Sequence, residues 1–303
     1  MIKIRVPATT ANLGPGFDCL GLALKLYLNL EIEEIEKGLV IEYQGEGAEK
    51  FSIKKDTLIG KSAELVLKKI GQDKSKKGLK IKAFNQIPIT RGLGSSASAI
   101  IGGIVGTAKL YNVNLTNQEM LELALSLEGH MDNIVPALIG GFILAYNTGQ
   151  EEIRWTKIKT PHDLKIVVAI PDFTLNTGEM RKVLPREIAL SEAIFNLSRS
   201  ALLVNALQNS DWEVLAVAME DRLHQPYRAP FIPGVEDMFL KIKKTGLAGV
   251  ALSGSGPSII SLTKKDSEEV ISKIMKDSFL DAGITCRVLV LEADLEGTLV
   301  SDE

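Results

Sequence analysis

Between Ala97 and Tyr111 the chain carries a single charged side chain, Lys109. A helix that is apolar on every side cannot lie on a surface, so this segment requires other elements packed all around it. The residues that lead into it constrain the chain further. Pro88-Ile89-Thr90-Arg91 is followed by Gly92-Leu93-Gly94-Ser95-Ser96-Ala97-Ser98. Glycines allow close backbone approach, and a helix N-terminus offers free N–H groups and the positive end of its dipole. Ser95, Ser96 and Ser98 add hydroxyls suited to phosphate oxygens or a magnesium ion. A flexible turn could share this composition, but a glycine-serine loop that opens a buried helix points to phosphate binding.

The remaining pattern gives strands and helices in irregular alternation. Ile2, Ile4 and Val6 alternate with Lys3 and Arg5 as in a half-buried strand, followed by a small-residue loop from Ala8 to Gly16. Further strands are predicted at Leu22–Ile32, Leu39–Tyr43, Leu79–Phe84, Phe142–Tyr146, Leu164–Ile170 and Cys286–Glu292, with a strand–loop–strand unit over Val250–Leu262. Asp56 or Thr57 can cap a helix reaching Ile70, and Thr116-x-x-Glu119 forms a capping box for one reaching Glu128. A short helix is expected after Asp132 or Asn133, with Pro136 in its first turn. Helices are also predicted at Leu190–Gln208, Trp212–Leu223, Val235–Thr245 and Ser267–Ala282. Such an order fits an α+β fold better than a doubly wound sheet. The length suggests roughly two domains, and the polar stretch Asn147–Asp163 sets the expected division: residues 1–155 with the phosphate loop, and residues 156–303 as a second α+β domain.

Charge and cysteine usage narrow the partners. With 35 basic against 38 acidic residues there is no basic excess to suggest nucleic acid. The densest basic run, Lys74, Lys76, Lys77, Lys80 and Lys82, reads as a solvated turn entering a strand. No apolar run approaches the ~18 residues of a membrane span. Cys19 and Cys286 lack CxxC partners, and His130, His162 and His224 are too scattered for a metal cluster. A cytoplasmic location is expected.

Two familiar phosphate loops fail on context. Ile59-Gly60-Lys61-Ser62 ends like a Walker A motif, but Lys55 stands where its first glycine belongs. Gly92-x-Gly94-x-x-Ala97 fits a loose dinucleotide fingerprint, which requires a second strand after the helix. Thr116 to Glu119 opens another helix there instead.

Pro88-x-x-x-Gly92-Leu93-Gly94-Ser95-Ser96-Ala97 resembles the nucleotide motif of the GHMP kinases, the family of galactokinase, homoserine kinase, mevalonate kinase and phosphomevalonate kinase. Pro7-Ala8-Thr9-Thr10-Ala11-Asn12-Leu13-Gly14-Pro15-Gly16-Phe17-Asp18 and Gly254-Ser255-Gly256-Pro257-Ser258 lie where that family has its other two motifs. The resemblance covers nearly the whole chain, in order. Within the family, Asn12 to Asp18, Glu128-Gly129-His130-Met131-Asp132-Asn133 and Arg228-Ala229-Pro230 are similar to the branch that phosphorylates L-homoserine.

That resemblance implies a two-domain GHMP-type fold, ATP as phosphoryl donor, Mg2+ and a homodimer. It implies ATP contacts from Pro88 through Ser98, from Gly254, Ser255 and Gly256, and from Thr57, where homoserine-phosphorylating relatives often carry an adenine-contacting asparagine. Glu122 matches the helix carboxylate that holds magnesium, with Ser96 as a second ligand. Asn133 follows Glu122 by eleven positions, where mevalonate-type relatives carry an aspartate; an amide cannot accept the proton. Asn12, Thr177, Asn133 and Arg181 are implied around the reacting hydroxyl. Asp18, His130, Arg181 and Arg228 are implied around the substrate's charged groups, since an arginine fork matches a carboxylate.

Overall fold

A computed structural model describes residues 1–51, 57–71, 78–148 and 152–302. Asp56, Lys74, Lys76 and Lys77 lie outside the described residues. Among those described there are eleven strands: β1 Ile2–Ala11, β2 Leu20–Ile35, β3 Leu39–Gly45, β4 Gly78–Asn85, β5 Phe142–Asn147, β6 Ile153–Ile158, β7 Leu164–Pro171, β8 Ala248–Leu252, β9 Ile259–Lys264, β10 Cys286–Leu291 and β11 Leu299–Asp302.

They form a seven-stranded sheet and a four-stranded sheet. The larger is organised by the long strand β2, which pairs antiparallel with β1 from Gly21 to Ile32 along one edge. Its other edge is shared: Leu20–Leu22 pair with β5, and Leu28–Ile35 pair with β4. A parallel β3 completes one side, and β6 extends the sheet beyond β5. β11 returns the end of the chain to β1. The larger sheet thus takes residues from both sides of position 155, since β6 runs across it. The smaller sheet has the order β10-β7-β9-β8, all antiparallel.

The apolar segment forms the helix Ser95–Leu110, buried from Ala97 to Ala108 apart from Ala99. Small residues bring it down onto the sheet. A β-carbon at Gly102 would lie 2.6 Å from Leu30, and one at Gly106 would lie 2.3 Å from Ile32. On another side Gly103 makes room for Ser62 of the helix Leu58–Lys69. That helix is capped by Thr57, whose Oγ1 accepts from the Gly60 amide at 3.1 Å. The Thr116–Glu119 capping box is formed and starts the helix Asn117–Glu128.

Several expectations shift. β1 continues through Ala11 into the stretch read as loop. The helix Met131–Ile139 begins one turn earlier than expected, with His130 at its N-cap and Pro136 inside it. The helix predicted over Trp212–Leu223 is reduced to Leu215–Ala218; Asp221 then gathers the following backbone amides into a turn. β6, β11 and the short helix Thr177–Lys182 carry no clear periodicity and were not expected.

Candidate active site

One cleft collects residues from the end of β1, the loops that follow it, and the loop between β8 and β9. Its floor at one end is the start of the Ser95–Leu110 helix. Gly94 is the N-cap in the left-handed region at φ 65°, and no side chain caps the first turn, so those N–H groups remain for a ligand. Pro88, Thr90, Arg91, Gly92, Leu93, Gly94, Ser95 and Ser96 all line the cleft. The glycines answer a second demand. A β-carbon on Gly94 would meet Thr9 Oγ1 at 1.8 Å, and one on Gly92 would meet the Ser253 carbonyl at 2.1 Å. The loop is therefore clamped between β1 and the Ser253–Ser258 loop.

Not every residue of the predicted loop reaches the cleft. Ala97 is fully buried, and the Ser98 hydroxyl is spent on the carbonyls of Pro7 (2.7 Å) and Gly94 (3.1 Å). Ile89 and Thr57 line an adjoining, mostly apolar pocket with Tyr43, Phe51, Leu58 and Ile59, into which Ser95 and Ser96 also open. Its mostly apolar lining suits a heteroaromatic ring. Gly254 and Ser255 line the cleft; Gly256 turns the chain behind them, its amide donating to Ser253 O.

Glu122 sits apart. It is exposed on the helix Asn117–Glu128, where Gln118 Nε2 donates to it at 2.9 Å. The carboxylate that does line the cleft is Glu128, at the end of the same helix. Desolvation pushes its carboxyl up to about 7. Glu122 lies mid-helix on the solvent side, whereas Glu128 closes the helix just before the chain turns at Gly129, and that turn brings it to the cleft. Asp132 also lines the cleft, almost wholly buried, and desolvation with the neighbouring Asp18 charge raises it to about 7. Neither was singled out from sequence; a carboxylate directly before a helix-ending glycine was the available signal for Glu128.

The opposite end carries paired charges. Asp18, at φ 59°, accepts both Arg181 Nη1 (3.0 Å) and Arg181 Nη2 (2.5 Å). Arg228 is 2% exposed. Its Nε donates to Met180 O at 3.1 Å, and its Nη1 donates to Gly254 O at 3.2 Å. Nη2 makes no hydrogen bond among the described residues, so one N–H edge rather than a full fork faces the cleft. Burial, then the Arg181 charge, lowers its pKa to about 10. Phe17 lies beneath both guanidinium groups, at 5.5 Å from Arg181 and 5.4 Å from Arg228.

Polar groups bridge the two ends. Asn12 Nδ2 donates to Gly254 O at 2.9 Å, and its Oδ1 accepts the Asp18 amide at 3.0 Å. Its amide therefore ties the Asn12–Asp18 loop to the Gly254 loop. Asn133 Oδ1 accepts from Thr9 Oγ1 at 2.7 Å, and Thr177 Oγ1 lies 3.2 Å from Ser255 Oγ. His130 is half-buried on the rim, its pKa lowered by desolvation and then by Arg181.

A phosphate-ready helix end facing a half-buried ion pair and a second, buried arginine describes a site that holds a polyanion and a small charged molecule together. The profile of the GHMP kinase N-terminal domain matches residues 57–141, and that of the GHMP kinase C-terminal region matches residues 203–279. The chain belongs to the GHMP kinases. Its curated relatives include the homoserine kinase of Clostridium kluyveri, 42% identical over 99% of this chain and 98% of that one. The homoserine kinase of Moorella thermoacetica is 41% identical over 99% of this chain and 100% of its own. Among solved structures, homoserine kinase from Cytophaga hutchinsonii superposes with a TM-score of 0.88 at 28% identity, covering 99% of this chain and 97% of that one. Mevalonate kinase of L. major in complex with R-mevalonate, 18% identical at TM-score 0.71 over 98% and 95%, shares the fold.

Proposed function

We propose that the chain moves the γ-phosphate of ATP onto the side-chain hydroxyl of L-homoserine, giving O-phospho-L-homoserine for threonine synthesis. The observation that carries this is the pairing of Asp18 with Arg181, beside the free edge of Arg228, at one end of a cleft whose other end is a helix N-terminus. An amino acid brings an ammonium for Asp18 and a carboxylate for the arginines, and its side-chain hydroxyl extends toward the helix.

Each residue has a task in this reading. The uncapped first turn at Ser95 and Ser96 holds phosphate oxygens, and the apolar pocket at Thr57 takes the adenine. Arg91 offers a buried Nη1 without a partner among the described residues, within the phosphate loop. Glu128, with the Ser95 or Ser96 hydroxyl, supplies the hard oxygen donors that Mg2+ requires. The metal would screen charge on the transferred phosphoryl group. Phosphoryl transfer asks mainly for positioning and charge stabilisation. Thr9 fixes the Asn133 amide, which can orient the acceptor hydroxyl without taking its proton; Thr177 and Asn12 close the same space. A homodimer and a cytoplasmic setting belong to the proposal, as does the division of labour between residues 1–155 and 156–303.

The test is ADP release with ATP and Mg2+ against homoserine, mevalonate, shikimate and galactose. Turnover with homoserine alone is the expected result. Turnover with another member of the panel overturns the substrate, and nucleotide binding without any turnover points to a sensor.

A further inference from the structure

Behind Arg228 lies a histidine that the proposed chemistry does not use. His224 is fully buried, at the N-cap of the short helix Gln225–Arg228. Its ring stacks on Phe17 at 5.2 Å between centroids. Nε2 lies 2.9 Å from Gly14 O, and Nδ1 lies 3.3 Å from Arg228 Nη1. A carbonyl can only accept and a guanidinium can only donate. The two contacts together require a hydrogen on Nε2 and a bare lone pair on Nδ1. A doubly protonated ring would turn an N–H against the Arg228 N–H and bring two positive charges together in a buried place.

The histidine is itself anchored. The Asp221 carboxylate accepts the amides of Leu223 (3.1 Å), His224 (2.9 Å) and Gln225 (2.7 Å), and Asn196 Nδ2 at 2.7 Å. Asp221 Oδ2 also stands 3.6 Å from His224 Nε2. Burial holds the ring's pKa below its usual value. The imidazole therefore joins the substrate loop, through Gly14 and Phe17, to the guanidinium that also grips Gly254.

We propose that His224 is a positioning residue for the substrate carboxylate: locked as the neutral Nε2–H tautomer, it holds Arg228 Nη1 and so aims the free Nη2 edge into the cleft. This rests on the homoserine reading for its substrate, but the tautomer and its link to Arg228 stand on geometry alone. With Nε bound to Met180 O and Nη1 shared between Gly254 O and His224 Nδ1, the guanidinium plane is fixed at three points. Removing the His224 acceptor leaves the plane free to rotate about its remaining contacts, and the carboxylate loses its aligned donor.

Two substitutions separate this role from simple packing. His224→Asn places an acceptor oxygen near the Nδ1 position, and His224→Gln places a donor near Nε2 while losing the Nδ1 acceptor. Both lose the ring and its stacking on Phe17. We expect His224→Gln to raise the homoserine KM roughly tenfold, the worth of one hydrogen bond to a charged group, and His224→Asn to raise it clearly less. The ATP KM should stay within about twofold in both. In an Arg228→Leu background the two variants should no longer differ. Equal homoserine KM values for the two single variants, or a matching rise in the ATP KM, would overturn the proposal. Nitrogen NMR of the wild-type ring reads the same inference without any variant. A protonated Nε2 and bare Nδ1 supports it, and hydrogen on Nδ1 overturns it. Failure of the wild type to phosphorylate homoserine would sink the substrate reading and leave the tautomer result to stand or fall by itself.

Discussion

The two ends of the cleft are built by different means. The end at the Ser95–Leu110 helix is one short stretch of chain in which backbone does most of the work: a left-handed glycine, a helix start and two serines. The opposite end is assembled from side chains of the Asn12–Asp18 loop, the Thr177–Lys182 helix and the Gln225–Arg228 helix, gathered on the Gly254 carbonyl. Its charges are partly or wholly buried and answer one another. A backbone site tolerates side-chain change and fails when a glycine is lost. A site of buried charges fails when any partner is lost, because the survivor is left desolvated.

The largest effect expected lies between these ends. Glu128→Gln should lower kcat on the order of 10²-fold, the size typical of losing one charge-stabilising group, and should move the Mg2+ requirement upward. Glu122→Gln, on the exposed face of the same helix, should titrate with Mg2+ as the wild type does. If the two behaviours are exchanged, the cation site lies with Glu122 after all.

Next in size is Arg228→Leu. A hydrogen bond to a charged group contributes roughly 1.5–3 kcal/mol, so the homoserine KM should rise at least about tenfold while the ATP KM hardly moves. 3-Aminopropanol, which lacks the carboxylate, should be a very poor substrate of the wild type, and its handicap should shrink in the variant. Equal discrimination by both enzymes would remove Arg228 from carboxylate reading.

Gly94→Val inverts the contrast. Any β-carbon there collides with Thr9 Oγ1, and the left-handed backbone alone costs about 1–2 kcal/mol for a residue other than glycine. Both ATP affinity and Tm should fall. A variant with native Tm and lost ATP binding would mean that only the ligand needs the glycine.

A separate effect, on stability rather than turnover, is expected in the pH dependence. Asp132 is raised from 3.8 to about 7 in the folded chain. An acid raised in this way binds its proton more tightly folded than unfolded. Its stabilising contribution is complete below about pH 4 and is lost as pH rises through about 7. Asp132→Asn should flatten that part of the stability curve, measured by denaturant unfolding without nucleotide. An unchanged slope would place the titration elsewhere.

Much of the fold was legible because its signals are local. The capping box at Thr116, the glycine that ends the Val235–Thr245 helix and the uncharged run after Ser95 each encode their own geometry within a few residues. β6 and β11 were not legible, since an edge strand half in solvent need not alternate cleanly. The Trp212–Leu223 expectation failed where helical periodicity met Asp221, whose carboxylate binds the backbone amides of a turn.

The sequence by itself determined the glycine-serine loop, the buried helix behind it and the family resemblance, because glycine placement and hydrophobic period act over short stretches of chain. Tertiary structure alone decided which carboxylate of the Asn117–Glu128 helix reaches the cleft. It also decided that Ser98 faces a backbone carbonyl, and that Arg228 offers one edge with His224 behind it. Those outcomes depend on where separate segments meet, and burial and partner geometry at such a meeting are not written in any one of them.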